Sequence, residues 1–376
     1  MKNILITGGA GFIGSNLTIN LVKKGYNITI LDNLSEQVHG KEKNSELFNS
    51  IKNIATFILG DVLSKSDWRK ALIGQDAVVH LAAETGTGQS MYEIARYNEV
   101  NVLGTSHLLD ILANENHSIK RMIIASSRSI YGEGKYYCSQ HGDVYPLERN
   151  EKELIQGNFE PKCPVCLGKL ELRATDELSE IHPASIYGIT KYQQEQMVML
   201  MGVTLNIPAV SLRYQNIYGP GQSLQNPYTG ILSVFSTRLL NGNDIHIYED
   251  GDESRDFLYI DDAVNATIMA LENKKADNKI FNVGSGSNIS VNEVARRLHD
   301  LYKAKGRLIV NGRFRLGDIR HNYADLTRIT AILGFSPKVN FNDGVISFVN
   351  WVKTQDIEED KYDASINELK NKGLIR

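Results

Sequence analysis

Cysteine is scarce, with three residues in a chain of 376. Three thiols cannot staple a secreted scaffold of this size, so a disulfide framework is excluded as the source of stability. Neither a low-complexity segment nor an internal repeat is present. No charge of either sign dominates: 41 basic residues face 44 acidic ones, a net charge of -3, which gives no reason to expect nucleic acid or an anionic membrane as partner. No apolar run approaches the roughly 20 residues of a bilayer-spanning helix. Met1-Lys2-Asn3-Ile4-Leu5-Ile6-Thr7 runs straight into glycines, unlike a signal peptide. The expectation is a cytoplasmic protein.

The composition is otherwise that of a globular chain, 42% hydrophobic and 23% charged. Candidate strands are Asn3–Thr7, Asn27–Asp32, Ala55–Leu59, Ala77–Ala82, Arg121–Ala125 and Ala209–Arg213. They are rich in Ile, Val and Leu with little polar alternation, as befits strands buried on both faces of a parallel sheet. Helical patterns lie between them, such as Phe12–Lys24, where Ile13, Leu17, Leu21 and Val22 share a face. Strand-helix-strand repetition predicts an α/β fold with a doubly wound, Rossmann-type parallel sheet. Residues 1–216 are expected to form a dinucleotide-binding domain, interrupted by an insertion at 133–183 that holds all three cysteines. Residues 217–376 are expected to form a smaller mixed α/β lobe that crosses back to the sheet near 279–284, with a helical pattern around Ala364–Leu369 near the end. Asp261 or Asp262 is expected to cap the helix through Asn265–Leu271, and His80 to be a packed strand-end side chain.

Gly8-Gly9-Ala10-Gly11-Phe12-Ile13-Gly14 follows a strand and opens a helix. Gly8 permits a tight turn, Gly11 lets backbone approach a pyrophosphate, and Gly14 allows close helix-strand packing beneath the helix N-terminus. Asp32 ends the second strand 18 residues after Gly14. A carboxylate there accepts hydrogen bonds from an adenosine ribose and repels a 2′-phosphate, which favours NAD over NADP.

Tyr187-Gly188-Ile189-Thr190-Lys191 places a phenol and an ammonium at i and i+4, on one face if the segment is helical. A nearby cation lowers a tyrosine pKa from its usual value of about 10, which makes Tyr187 a candidate base for a substrate hydroxyl. Such a pair taken alone is more often an exposed helix face.

These motifs occur together with Asp61-Val62, His80-Leu81-Ala82-Ala83, Ser126-Ser127-Arg128-Ser129-Ile130-Tyr131-Gly132, Arg213-Tyr214-Gln215-Asn216-Ile217-Tyr218-Gly219-Pro220 and Arg255-Asp256-Phe257. In that order, over nearly the whole chain, they resemble the extended short-chain dehydrogenases/reductases, the NAD-dependent epimerase/dehydratase family. The resemblance implies Ser127, Tyr187 and Lys191 as catalytic residues, with Lys191 also on the nicotinamide ribose. It implies Gly8, Gly11, Phe12, Ile13, Gly14, Asp32, Asn33, Asp61, Val62, Leu81, Ala82, Ala83, Asn101 and Tyr214 around the dinucleotide. Thr87, Ser127 and Asn216 would meet a nucleoside-diphosphate sugar, and Arg255 and Arg315 would clamp its diphosphate, a task suited to bidentate cations. Surface ion pairs are the plain alternative for those two arginines. A homodimer, through helices around Ser90–Ala113 and Tyr187–Met201, is also implied.

Related dehydratases and decarboxylases carry acids directly after the catalytic Ser/Thr; here Arg128 and Ser129 stand there, so no carboxylate serves elimination. The expected reaction is therefore 4-epimerisation, by transient oxidation of a nucleoside-diphosphate hexose or deoxyhexose at C4. Thr85–Glu93 and Ala364–Leu369 most resemble the dTDP-L-rhamnose 4-epimerase group. The competing readings are a 4,6-dehydratase, against which the missing acids count, and an NADP-linked reductase, against which Asp32 counts. A catalytically silent nucleotide-sensing protein of the same fold is a further alternative, which the intact Ser127, Tyr187 and Lys191 disfavour.

The insertion carries Cys138-Ser139-Gln140-His141 and Cys163-Pro164-Val165-Cys166. Two close ligand pairs separated by a loop suit a tetrahedral structural zinc with no open position. Scattered loop residues, or a Cys163–Cys166 redox pair, are the alternatives.

Overall fold

The computed structural model describes residues 1–40, 45–228 and 230–375. Strands β1 (Asn3–Thr7), β2 (Asn27–Asp32), β3 (Thr56–Leu59), β4 (Ala77–His80) and β5 (Arg121–Ser127) join Ala209–Tyr214 and Lys279–Val283 in one seven-stranded sheet. The order is Lys279–Val283, Ala209–Tyr214, β5, β4, β1, β2, β3, and every pair is parallel. The sheet therefore reverses its winding at β1 and β4, and a crevice opens at their carboxyl ends.

Continuous apolar runs were needed because each strand feeds two cores. Ile4, Ile6, Ile30, Val79 and Ile123 pack on one face with Leu17 and Leu21 of the helix Phe12–Lys23. Leu5, Leu31, Val78, Met122 and Ile124 pack on the other, against Trp68, Leu108 and Leu112. The period of two is present but hidden, since both faces are apolar. The strands match the expected positions, with β4 ending at His80 and β5 running on to Ser127.

Beyond Asn216 the chain builds small sheets and helices that share the first core. Asn216–Tyr218 pairs with Phe257–Tyr259, while Ser254–Arg255 lies between Ile289–Ser290 and His321–Asn322. The helix Ile260–Glu272 corrects one expectation: its N-cap is Tyr259, with no side-chain cap. Asp262 instead accepts the Lys338 and Val339 amides at 3.0 Å, because the 338–339 backbone packs there and has no strand partner for those donors.

The insertion forms a three-stranded antiparallel sheet, Gly142–Val144, Tyr136–Cys138 and Glu171–Leu172. Its own buried cluster is small: Tyr136, Cys138, Val144 and Cys163, with Leu170 and Leu172 against it.

Candidate active site and the cysteine-histidine cluster

The crevice holds a cleft of about 470 Å³. At one end β1 turns at Gly8, which has φ +65°; an added Cβ there would lie 2.8 Å from the Ala82 nitrogen. At Gly14 a Cβ would collide with the Gly8 carbonyl, so the helix Phe12–Lys23 can sit against the turn only without one. That helix starts at Gly11 with no side-chain cap, leaving its first amides available to an anion. Asp32 is buried, its Oδ2 accepting from the Ala10 amide at 3.0 Å and its Oδ1 from Leu34 at 2.9 Å. Burial raises its pKa and those two amides oppose the rise. A glycine cradle, an open helix terminus and an oriented carboxylate fit the pyrophosphate and ribose of NAD.

Gly8, Gly11, Phe12, Ile13, Gly14, Asp32 and Asn33 line this end of the cleft. Val62, Leu81, Ala82, Ala83 and Tyr214 line it further along. Asp61 and Asn101 stand behind the wall. Asp61 accepts from Asn33 Nδ2 and the Leu63 amide, both at 2.9 Å. Asn101, fully buried, accepts from the Glu84 amide and donates to Glu84 O and Thr190 Oγ1.

The other end is built by β5 and the helix Ile186–Thr204. Ser185 caps that helix by accepting from the Gly188 amide at 3.1 Å. Gly188 lies so close to the Ser129 carbonyl that a Cβ would sit 2.6 Å from it, and this approach brings Tyr187 to Ser127. Burial raises the Tyr187 pKa; the Ser127 hydroxyl bond and the Arg128 charge lower it. Ser127 Oγ also accepts from Ser129 Oγ at 2.9 Å. Arg128 lines the cleft, donates from Nε to Asn216 Oδ1 at 3.2 Å, and is pushed down to about 10 by burial and by neighbouring Arg255.

Lys191 is buried and its Nζ donates to Gln194 Oε1 at 2.6 Å. Burial pulls its pKa down to about 7. Gln194 Nε2 donates to Thr105 Oγ1 at 2.7 Å, and His80 joins Thr105 to Thr7 at 2.9 and 2.7 Å. Burial holds His80 at about 3, a neutral packed histidine as its strand-end position suggests. Sequence reasoning missed Gln194, although it stands one turn after Lys191 on the buried face.

Gln215 was missed as well. It lines the cleft, is 5% exposed, and neither amide atom has a hydrogen-bond partner among the described residues. A buried amide without partners costs on the order of 1–3 kcal/mol, which a bound ligand can recover. Its place between Tyr214 and Asn216 was the available signal.

Thr87 and Asn216 line the cleft; Arg255 and Arg315 do not. Arg255 donates to Ser254 O, Arg320 O, Ile319 O and Asp318 Oδ1. Arg315 stacks 4.8 Å over the Tyr248 ring. Both act on Asp318, as do Arg149 and Arg128, so four guanidinium groups surround one carboxylate.

In the insertion, Cys138 Sγ lies 3.5 Å from His141 Nδ1 and 3.7 Å from Cys166 Sγ, and Cys163 Sγ lies 3.6 Å from the same His141 nitrogen. All four ligand atoms fall within 4.8 Å of one another. The Gln140 amide and the His141 ring pull the Cys138 thiol down to about 6. Bond lengths of about 2.3 Å to sulfur and 2.0–2.1 Å to nitrogen make tetrahedral edges of about 3.8 Å between sulfurs and about 3.5 Å from sulfur to nitrogen. The donor set fits zinc.

Residues 4–151 and 167–284 match the family model described as NAD dependent epimerase/dehydratase family; the break at 152–166 contains Cys163 and Cys166. A dTDP-L-rhamnose 4-epimerase of Burkholderia thailandensis is 35% identical over 93% of this chain and 95% of its own length. A putative UDP-glucose 4-epimerase of Methanocaldococcus jannaschii is 30% identical over 93% and 98%. Among solved structures, a Thermotoga maritima UDP-glucose 4-epimerase with UDP-glucose is similar at TM-score 0.76 and 28% identity, covering 94% of this chain and 99% of that one. A Bacillus cereus UDP-glucuronic acid 4-epimerase in complex with UDP-glucuronic acid and NAD is similar at TM-score 0.76 and 26% identity, with the same coverage. With the glycine turn, Asp32, Ser127, Tyr187 and Lys191 gathered on one cleft, the chain belongs to the NAD-dependent epimerase/dehydratase family.

Proposed function

We propose that this protein is an NAD-dependent 4-epimerase of a nucleoside-diphosphate hexose or deoxyhexose. The observation that carries the reading is the meeting of Tyr187 with Ser127 in the cleft that also holds the glycine turn and Asp32. NAD, when bound, supplies hydride acceptance and return. Tyr187 takes the proton of the sugar C4 hydroxyl as a base and returns it to the oxygen afterwards. Ser127 donates to that oxygen and steadies its developing charge. Lys191, held by Gln194, orients the nicotinamide ribose, and Asp32 binds the adenosine ribose. Arg128 stands where an eliminating enzyme needs an acid, so no carboxylate directly follows Ser127 to drive loss of water from a 4-keto sugar. It is then free to turn and receive hydride on its other face. Asn216 and Thr87 hold the sugar nucleotide, and Arg255 and Arg315, behind the cleft wall around Asp318, act on its diphosphate by their charge.

The dTDP-L-rhamnose 4-epimerase relative favours a dTDP-deoxyhexose as substrate. Incubating purified protein with dTDP-, UDP-, GDP- and CDP-hexoses and resolving products by NMR tests the reading. Conversion to the C4 epimer is expected, and a 4-keto-6-deoxy product alone would overturn it.

The reading includes a homodimer. Ile94, Leu103, Ile189, Leu200 and Val203 are exposed apolar side chains on the helical segments 94–114 and 186–204, the surface such a dimer would bury. Light scattering at micromolar concentration should give twice the chain mass. It also includes a structural zinc on Cys138, His141, Cys163 and Cys166, supported by the sulfur and nitrogen spacing; elemental analysis should find about one zinc per chain. No described helix is long and apolar enough to cross a membrane, in keeping with a cytoplasmic enzyme.

A further inference from the structure

The four ligand atoms close a loop, since His141 and Cys163 bound to one ion tie residues 142–162 at both ends. Its first residues, Gly142–Val144, belong to the insertion's own sheet, but the rest packs on the second lobe. Leu154 and Phe159, buried within the loop, form a cluster with Phe314 and Leu316, the residues on either side of Arg315. Arg149, also within it, donates to the Asp318 carbonyl at 3.0 Å and to Glu249 at 2.8 Å from each of two nitrogens. Its Nε lies 3.3 Å from Glu133, whose other oxygen accepts the Arg320 amide at 2.8 Å. Glu160, near the loop's end, accepts from Arg320 Nε at 2.7 Å. Asp318 in turn pairs with Arg255 at 3.1 Å.

We propose that the metal-closed loop is a buttress for the diphosphate end of the cleft: zinc fixes residues 142–162, and these hold the Phe314–Asp318 segment that positions Arg315 and Arg255. The inference rests on the zinc reading and on the nucleotide-sugar reading above. Coupling runs through contiguous packed and ion-paired groups, with no contact between the metal and the ligand. The glycine turn at the end of β1 and Asp32 at the end of β2 share none of these contacts among the described residues. Metal loss therefore weakens nucleotide-diphosphate binding and leaves NAD binding intact. An untethered loop regains chain entropy, and the Leu154–Phe159 cluster with the Arg149 and Glu160 pairs must then hold it without the metal.

The test titrates the full-length protein by calorimetry with dTDP and UDP, which carry the diphosphate without a sugar. The protein is measured as purified and after zinc removal with a mercurial, a chelator and then thiol. Metal content and extractable NAD are measured on each sample. The stripped protein should keep its NAD and bind dTDP or UDP about tenfold more weakly. Phe159→Ala with zinc retained should also weaken binding, by about threefold, and Arg149→Met in the same direction. If stripping leaves nucleotide affinity unchanged, or NAD departs with the metal, the buttress is wrong. If Phe159→Ala binds like wild type, it is wrong as well. If neither diphosphate binds the untreated protein, the nucleotide-sugar reading fails first. If no zinc is found or taken up, the metal site fails, and unchanged affinity in Phe159→Ala would then remove the buttress independently.

Discussion

The cleft and the cysteine-bearing insertion solve the same problem, holding polar groups in fixed positions, by opposite means. The cleft sits on strand ends whose side chains fill two large apolar cores, so the backbone beneath it is rigid before any polar group is placed. Its functional atoms are therefore left for ligands: the Phe12–Lys23 helix starts uncapped, and the Gln215 amide has no partner among the described residues. The insertion has a buried cluster of four residues, two of them cysteines, and uses its polar groups on itself and its neighbours. A region with little apolar material is held by charge pairs, and it gathers its thiols and His141 within 4.8 Å of one another. Polar residues deserve a ligand-binding interpretation where the core is large, and a structural one where it is small.

The largest effect should come from removing the reacting group of the cleft. Tyr187→Phe should lower kcat by about a thousandfold with fold and NAD retained; a wild-type rate would mean that Tyr187 is not the acid/base. Asp32→Ala should weaken NAD by about tenfold or more and erase the preference over NADP, measured by calorimetry. Unchanged NAD affinity would show that the carboxylate only braces Ala10 and Leu34. On the other side of the comparison, Cys163→Ser should lose zinc and lower Tm by roughly 5 °C, while NAD stays bound. Equal stability with no metal in either protein would show that the insertion is held by its ion pairs alone.

The smallest effect sharpens the boundary between binding and tuning. The Arg128 cation favours the phenolate form of Tyr187, so it lowers that pKa against the rise caused by burial. Replacing it by Met should raise the Tyr187 pKa and move the acid limb of kcat to higher pH by about half a unit or more. Arg128→Lys should keep the wild-type limb. A higher KM with an unmoved profile would make Arg128 a binding group only.

Most of the cleft could be read from the chain because its parts are local. Gly8 to Gly14, Asp32 at a strand end, and Tyr187 with Lys191 one helical turn apart each place their atoms through neighbouring backbone. What escaped depends on distant partners. Gln194 matters only because Thr105 and His80 arrive beside it from other elements. The donors of Arg255 go to backbone around residue 319, which no local pattern reveals. Asp262 looks like a helix cap in sequence, and tertiary packing gives it the Lys338 and Val339 amides instead. The ligand pairs of the insertion are local, but the loop they enclose packs on Phe314, far away in sequence.

The central claim, that the cleft oxidises and re-reduces one sugar carbon with its own bound NAD, has a direct test. Purified protein without added cofactor is incubated with nucleoside-diphosphate hexoses deuterated at C4, and the products are followed by NMR and mass spectrometry. The account predicts a C4 epimer that keeps its deuterium, with no build-up of reduced cofactor. A product that has lost water, or whose C4 deuterium has exchanged for solvent hydrogen, would contradict it.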